Sequence, residues 1–450
     1  MSATTYALPP GPRAPRAVQA ASWIARPLAF MERCQSRYGD VFTVQVEPKT
    51  TWVFFSHPDA IKEIFTGDPS VFHAGEGNVI LLPVLGPQSV LLLDDAPHIE
   101  QRRLMLPSFH GERMQRYGEL MAEIATHELD SWPVGQSFPI WPRMQALTLE
   151  VILRAVFGVT EAASLERMRS ALKSMLDWTT DPRRLVALAT VGPYRVRDSR
   201  FFQRAMTPVD EVILDEIRRR RDDPQLDERE DVLSLLLQAR HEDGSPMTDS
   251  ELRDELVTLL VAGHETTATS LSWAVERLVR NPHTLERLQG EVRGGGDSEY
   301  LDAVIKETLR LRPVIPIVVR KLTRPVEVAG HPLPTGVSAV PAIHLVHRRP
   351  DVYPDPHRFK PERFLDTPAG TYTWIPFGGG PRRCLGASFA QFEMKIVLAA
   401  IVDRLSMRPA RPEPERIARR AIAMTPRHGT EIVIDARSQA RSADPLEVAA

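Results

Sequence analysis

The longest unbroken helical pattern in the chain opens at Thr248 and closes at Arg280. Thr248-x-x-Glu251 reads as a capping box, and the pattern it opens runs the 33 residues to Arg280. Asn281-Pro282 then supplies a cap and first-turn signal for the next helix. At about 1.5 Å per residue the first helix spans roughly 50 Å, enough to cross a domain. Helical spacing recurs in TPVDEVILDEIRRRR, in EYLDAVIKETLRLR, and after Cys384, where Leu385, Phe389, Phe392, Ile396 and Ala400 share a face. DVFTVQV, TTWVFF and GTEIVIDA read instead as short strands. The pattern predicts a mainly α fold with a small β portion near the N-terminus and around residues 314–345. The stretch Arg218–Asp231 reads as a solvated inter-helix loop, and Gly294, Gly295 and Gly296 mark another. The last fifteen residues, from Ala436, lack periodicity and read as a frayed tail. No Pro/Ser/Gly linker divides the rest, so residues 1–435 are expected to form one domain.

Composition narrows the function. Of 450 residues 43% are hydrophobic and 25% charged, and the net charge is −2, which gives nucleic acid no basic surface to bind. No run reaches the roughly 18 apolar residues of a membrane span. Pro9, Pro10, Gly11 and Pro12 follow too short a leader for a signal peptide or anchor, so a cytoplasmic protein without a transmembrane anchor is expected. The chain has two cysteines, too few for a zinc–thiolate or iron–sulfur site without many other ligands.

One of the two sits in a loop suited to presenting a thiolate. Residues 377–386 read FGGGPRRCLG, and the helical pattern after Cys384 puts a helix N-terminus beside the sulfur, which favours the anion. Gly378, Gly379 and Gly380 allow unusual backbone angles and close approach of a flat group, and Gly386 gives the same clearance on the other side. Cys34 has no such setting and reads as a small buried hydrophobe.

A second local anomaly lies mid-way along the long helix. Ala262-Gly263-His264-Glu265-Thr266-Thr267 puts a glycine and two threonines where helix propensity disfavours them, by about 1 kcal/mol for the glycine alone. Such a breach is expected where function or close packing demands it. Glu265 and Thr266 pair an acid with an alcohol, a combination that can pass protons in a dry site. His264 alone makes no metal site.

Phe377, Gly380, Arg382, Cys384 and Gly386 match Phe-x-x-Gly-x-Arg-x-Cys-x-Gly, and the loop resembles the haem-ligand loop of the cytochrome P-450 superfamily. The resemblance extends from about Gly39 to Gly429. It implies the fold of that family, with haem b (iron protoporphyrin IX) between the long central helix and the helix after Cys384. Cys384 would be the axial iron ligand, and an axial thiolate favours O–O cleavage. Gly263 would let the helix pass over the haem and open locally. Glu265 and Thr266 would be the catalytic acid–alcohol pair, Glu265 linking the site to solvent water. His98, Arg102, Arg320 and Arg382 would bind the haem propionates, with Phe377 and Gly386 completing the cofactor site. Arg103 and Arg383, pointing away, would form a basic rim for an acidic redox partner. Glu307-x-x-Arg310 with Pro-Glu-Arg363-Phe resembles the family's structural charge network.

The implied reaction is insertion of one oxygen atom from O2 into a lipophilic small molecule by a monomeric enzyme. The pocket would be lined by Ile80, Leu81, Leu259, Ala262, Gly263, Val314, Ile315, Ile317, Val318 and Ala423. Nearly all are apolar, which suits a terpenoid, fatty acid or steroid-like ring system. Arginines between 183 and 200 could reach a carboxylate at its mouth. Electrons would come from NAD(P)H through a separate ferredoxin, or flavodoxin, and ferredoxin reductase. A peroxide-using or isomerising haem-thiolate enzyme and a non-catalytic haem sensor are the alternatives. Both have less need of Glu265 and Thr266.

Overall fold

A computed structural model describes residues 7–438 except 48–49, 110, 112, 160, 182–183, 185–190 and 296–298. The expected tail beyond Ser438 and Arg183 at the pocket mouth lie outside those residues.

The central helix is Asp249–Val279, and its predicted capping box is present. Glu251 accepts from the Thr248 N–H at 2.8 Å, and the Thr248 hydroxyl accepts from the Glu251 N–H at 3.3 Å. Most of the helix is buried, hydroxyl residues included. Thr258, Ser270 and Ser272 make this possible by donating back to the carbonyls of Asp254, Thr266 and Ala268 at 2.6–2.9 Å, so their oxygens enter the core already bonded. Around this axis pack Trp141–Phe157, Arg200–Arg221, Glu299–Leu311 and Ala387–Arg404. Gly263 lies at the first of these contacts. A Cβ there would lie 2.9 Å from the Ile152 Cδ1 atom. The glycine gives clearance to this helix–helix approach.

The β portion is small and lies mostly at one side. Five strands run in the order Val41–Val44, Trp52–Phe55, Ser338–Pro341, Arg320–Leu322, Phe72–His73. Only the second and third are parallel. This sheet separates an aromatic-rich cluster around Trp23, Phe42 and Phe54 from one around Phe55, Ile61 and Phe65. Arg320, expected to bind the cofactor, is thereby fixed on a strand. A second sheet joins Ser137–Pro139, Glu431–Arg437 and Leu405–Pro409. Its middle strand continues through Ala436 and Arg437, so these two belong to the sheet and not to a tail. A hairpin of Ile417–Arg420 against Ala423–Pro426 brings the C-terminal region back over the central helix.

The arginine run before residue 221 is not a loop. Arg218–Arg221 end the helix Arg200–Arg221, and Arg220 is buried. It donates to Asp231 at 2.6 Å, Ser234 at 2.7 Å, Glu216 at 3.0 Å and the Phe157 carbonyl at 2.5 Å. Four acceptors around one guanidinium make burial affordable, which composition alone cannot reveal.

Candidate active site

The loop Phe377–Gly386 is closed by the Cys384 N–H donating to the Phe377 carbonyl at 2.9 Å. Gly378 and Gly380 have φ of 67° and 65°, values that only glycine adopts without strain. A Cβ on Gly379 would come within 2.3 Å of the Phe65 ring, and one on Gly380 within 2.0 Å of the Phe65 carbonyl oxygen. Their clearance admits the helix Pro58–Thr66. Gly386 differs, because a Cβ there would meet nothing within 4 Å.

Gly386 is the N-cap of Ala387–Arg404, so the thiol sits two residues before a helix N-terminus. The Gly386 N–H and the charges of Arg102 and Arg383 pull the Cys384 pKa down, but burial outweighs them and the net shift is upward. The lowered thiol expected from the helix N-terminus is thus not reached by protein groups alone. A coordinated cation reverses that balance, since a ligating thiol is deprotonated outright. Cys384 is nevertheless accessible to solvent, so it lies on the wall of an internal space. Cys34 is buried, and burial pushes it up to about 11.

Ala262 is exposed in the middle of the otherwise buried central helix, and Gly263 and Thr266 are partly so. This helix packs directly on Ala387–Arg404. Accessible surface on two mutually packed core helices marks a slot between them.

Four cationic or titratable side chains gather at this slot. His98 and Arg102 lie on Asp95–Met105. His98 is buried, and its pKa falls to about 3 through burial and the charges of Arg382, Arg102 and Arg320. Arg320 is buried too and is depressed to about 10, by burial first and then by Arg382. It donates only to its neighbour's carbonyl, Val319, at 3.0 Å and lies 5.8 Å from the Phe65 ring centre. Among the described residues no carboxylate pairs with Arg320 or Arg102. Arg382 is different. It donates to Asp94 at 2.5 Å and to the carbonyls of Leu93 and Val90 at 2.5 and 3.2 Å. Asp94 in turn accepts from the Gly75 and Glu76 N–H groups at 2.9 and 3.0 Å. Buried guanidinium without an anion is costly. A flat ligand carrying two carboxylates fits this donor set, with Arg320 and Arg102 open to it and Arg382 already half committed to Asp94.

On the central helix, Thr266 donates back to the Ala262 carbonyl at 2.6 Å. Glu265 is mostly buried. Its Oε1 lies 3.2 Å from the Arg420 Nε, and its net pKa shift is upward because burial outweighs the opposing charge of Arg420. His264, the residue left without a role, is buried and kept neutral by that burial, with a pKa of about 4. Its carbonyl accepts from the Thr148 hydroxyl at 3.0 Å.

Behind the thiolate loop the charge network is present. Glu307 and Arg310 are fully buried and joined by two bonds of 2.7 and 2.9 Å. Glu307 also accepts from Arg363 at 3.2 Å and the Lys360 N–H at 2.8 Å. Arg310 continues to the carbonyls of His347 and Pro356 at 2.6 and 2.8 Å. His347 was not found from the sequence. Its Nδ1–H faces the Arg310 carbonyl at 3.2 Å, and its Nε2 accepts from the Ile375 N–H at 2.9 Å. Burial holds it neutral, well below its usual pKa, as that donor–acceptor pattern requires.

The expected pocket residues do not all share one wall. Leu81 and Leu259 pack beside the main core, while Val314 and Ala423 are buried. The Met424 N–H, next to Ala423, donates to the Val314 carbonyl at 2.8 Å. Ile315 is half-buried. Ile317 packs with the Trp23 cluster and Val318 with the Phe55 cluster, so both are occupied by the sheet. Ile80 is exposed, on the turn Val79–Leu81 that contacts Pro193–Arg197. Arg184 stacks on Trp178 at 4.8 Å and pairs with Asp181 at 3.7 Å. Arg103 pairs with Glu242, whereas Arg383 stays exposed.

A family-wide sequence profile described as Cytochrome P450 matches residues 9–432. The chain belongs to the cytochrome P450 family. It is 46% identical over 445 residues to cytochrome P450 135B1 of Mycobacterium tuberculosis, covering 97% of this chain and 93% of that protein. It is 39% identical to cytochrome P450 135A1 of the same organism, covering 96% of each. Among solved structures it resembles a retinoic acid-bound cyanobacterial CYP120A1 with a TM-score of 0.80 at 23% identity, over 96% of this chain and all of that one. The cytochrome P450DA heme domain gives 0.82 at 21%, over 96% and 98%. These two likenesses concern the fold. As a P450 the protein is a haem-thiolate monooxygenase, an iron-dependent oxidoreductase. No helix among the described residues is long and apolar enough to cross a membrane.

Proposed function

We propose that this P450 hydroxylates or epoxidises a lipophilic small molecule, using electrons from NAD(P)H delivered by a separate ferredoxin or flavodoxin and its reductase. The observation that supports the site assignment is the buried Arg320 and the partly buried Arg102, neither paired with a carboxylate among the described residues, beside an accessible Cys384. In this reading Cys384 would supply the thiolate that holds the haem iron. Arg102, Arg320 and His98 hold the propionates, with Arg382 sharing its donors between a propionate and Asp94. Phe377 and Gly386 shape the two sides of the sulfur. Haem bound there supplies thiolate-assisted activation of dioxygen.

The chain's own residues then control water and protons. Ala262, Gly263, Leu259, Val314 and Ala423 exclude water from one side of the slot. Thr266 gives up its bond to the Ala262 carbonyl and donates into the slot, and Glu265 replenishes that proton. Each member of such a relay contributes roughly 10²–10⁴-fold. Glu307, Arg310 and Arg363 act only by bracing the loop.

The apolar lining supports a terpenoid, fatty acid or steroid-like substrate, and the fold is shared with a protein solved with retinoic acid. A monomer in the cytoplasm suits an enzyme served by diffusing electron carriers. Screening a lipophilic library for shifts of the haem absorption, then measuring NADH-dependent product with a surrogate ferredoxin system, tests the proposal. Product formed with peroxide but never with NADH and ferredoxin would transfer the protein to the peroxide-using class.

A further inference from the structure

Glu265 has one ion-pair partner among the described residues, and it comes from an element remote in sequence. Arg420 ends the first strand of the hairpin Ile417–Arg420/Ala423–Pro426, directly opposite Ala423 in register. Its guanidinium carbon lies 5.0 Å from the centre of the Trp141 ring, and Trp141 donates to the Thr269 hydroxyl of the central helix at 3.1 Å. The hairpin is pinned to the same helix by the Trp273 Nε1–H, which donates to the Met424 carbonyl at 3.0 Å. Arg420 is therefore held over Glu265 by contacts on both of its own sides. Its Nε and the Glu265 Oε1 are within ion-pair distance but not aligned as a hydrogen bond, and both atoms are buried. A planar guanidinium normally takes a carboxylate bidentately. The pair is therefore held by charge, without a hydrogen bond between these two atoms.

We propose that Arg420 is a positioning residue for the Glu265 carboxyl, holding it by charge in the place from which it carries a proton. The proposal rests on the reading of Glu265 as proton carrier. The other titratable group beside this pair is His264, on the same helix, buried and neutral and itself depressed by Arg420. No charged residue of Trp141–Phe157 pairs with Glu265 among the described residues. The balance closes: the Thr266 hydroxyl gives its own proton into the slot, the Glu265 carboxyl returns a proton to the Thr266 oxygen, and water reprotonates Glu265, so one O–H bond breaks for each that forms.

The test titrates the carboxyl itself in holoenzyme by pH-resolved infrared difference spectra, with Glu265→Gln subtracted to isolate its band. Removing an opposite charge at this distance raises a carboxyl pKa by about 1–3 units. Arg420→Gln should therefore raise the midpoint by that amount and move the pH profile of product per NADH with it. Arg420→Lys, which keeps charge but not the fork, should raise it less and serves if the glutamine variant folds poorly. An unmoved midpoint in both variants, with Glu265→Gln still uncoupling turnover, would overturn the proposal and leave the relay standing. If Glu265→Gln is as coupled as the parent, the relay reading falls first and the proposal falls with it.

Discussion

Replacing Glu307 by alanine removes the acceptor of four bonds at once. These are two from Arg310 at 2.7 and 2.9 Å, one from the Lys360 N–H at 2.8 Å and one from Arg363 at 3.2 Å. Arg310, with no exposed surface, keeps the carbonyls of His347, Pro356 and Arg358 but loses its counter-charge. Stranding a buried charge costs about 3–5 kcal/mol, a large share of the 5–15 kcal/mol that holds a protein folded. The surviving carbonyl bonds put the expected loss near the lower end, about 3 kcal/mol. Arg363→Ala removes a weaker donor and leaves Arg310 paired, so about 1–2 kcal/mol follows from one charged hydrogen bond. The damage should concentrate on the segment from Arg310 through His347 to Ile375, directly before the thiolate loop. The assay is guanidinium unfolding alongside the haem-to-protein ratio of freshly purified enzyme. Glu307→Ala should lose haem and stability, Arg363→Ala less of both, and Glu307→Leu with Arg310→Met should recover part of the loss because no charge is stranded. A Glu307→Ala enzyme with the parent's haem ratio and a stability within about 0.5 kcal/mol would refute the reasoning.

Other outcomes follow from single contacts. Thr266→Ala should keep haem and substrate binding but release more hydrogen peroxide per NADH consumed; unchanged peroxide yield would place the proton donor elsewhere. Gly380→Ala combines a φ of 65° with a Cβ 2.0 Å from the Phe65 carbonyl oxygen, so little haem-bound protein should be recovered, whereas Gly386→Ala should fold and alter only haem affinity. Glu393 is buried, its Oε1 has no hydrogen-bond partner among the described residues, and burial raises its pKa to about 8. Its folded pKa exceeds its unfolded one, so its contribution is fully present below about pH 4.5 and lost as pH rises through 8. Glu393→Gln should therefore match the parent near pH 5 and be more stable by about 2–4 kcal/mol near pH 8.5. Denaturant midpoints at the two pH values decide it.

Much of this architecture was legible because its signals are local. The capping box at Thr248, the helix after Cys384 and the spacing of the thiolate loop each depend on residues a few positions apart. The Glu307–Arg310 pair was legible as a helix face, and its burial came with the Arg363 segment. What the chain concealed depends on distant partners. Arg220 looks solvated in a run of arginines until Asp231, Ser234 and Phe157 are seen around it. Gly379 and Gly380 are legible as loop glycines, but Phe65, the distant residue they make room for, is not. Arg420 and Glu265 meet only through a hairpin returning from the far end of the chain, and no periodicity announces it. Ile317 and Val318 share the composition of pocket residues, yet the sheet claims them.

The central claim is that Cys384 is the iron ligand. The absorption of the carbon monoxide complex of reduced enzyme reads the axial ligand directly. The account predicts the red-shifted, thiolate-type band for the parent and for Cys34→Ala, and its loss in Cys384→His with haem still bound. A Cys384→His enzyme that kept the thiolate-type band would contradict it.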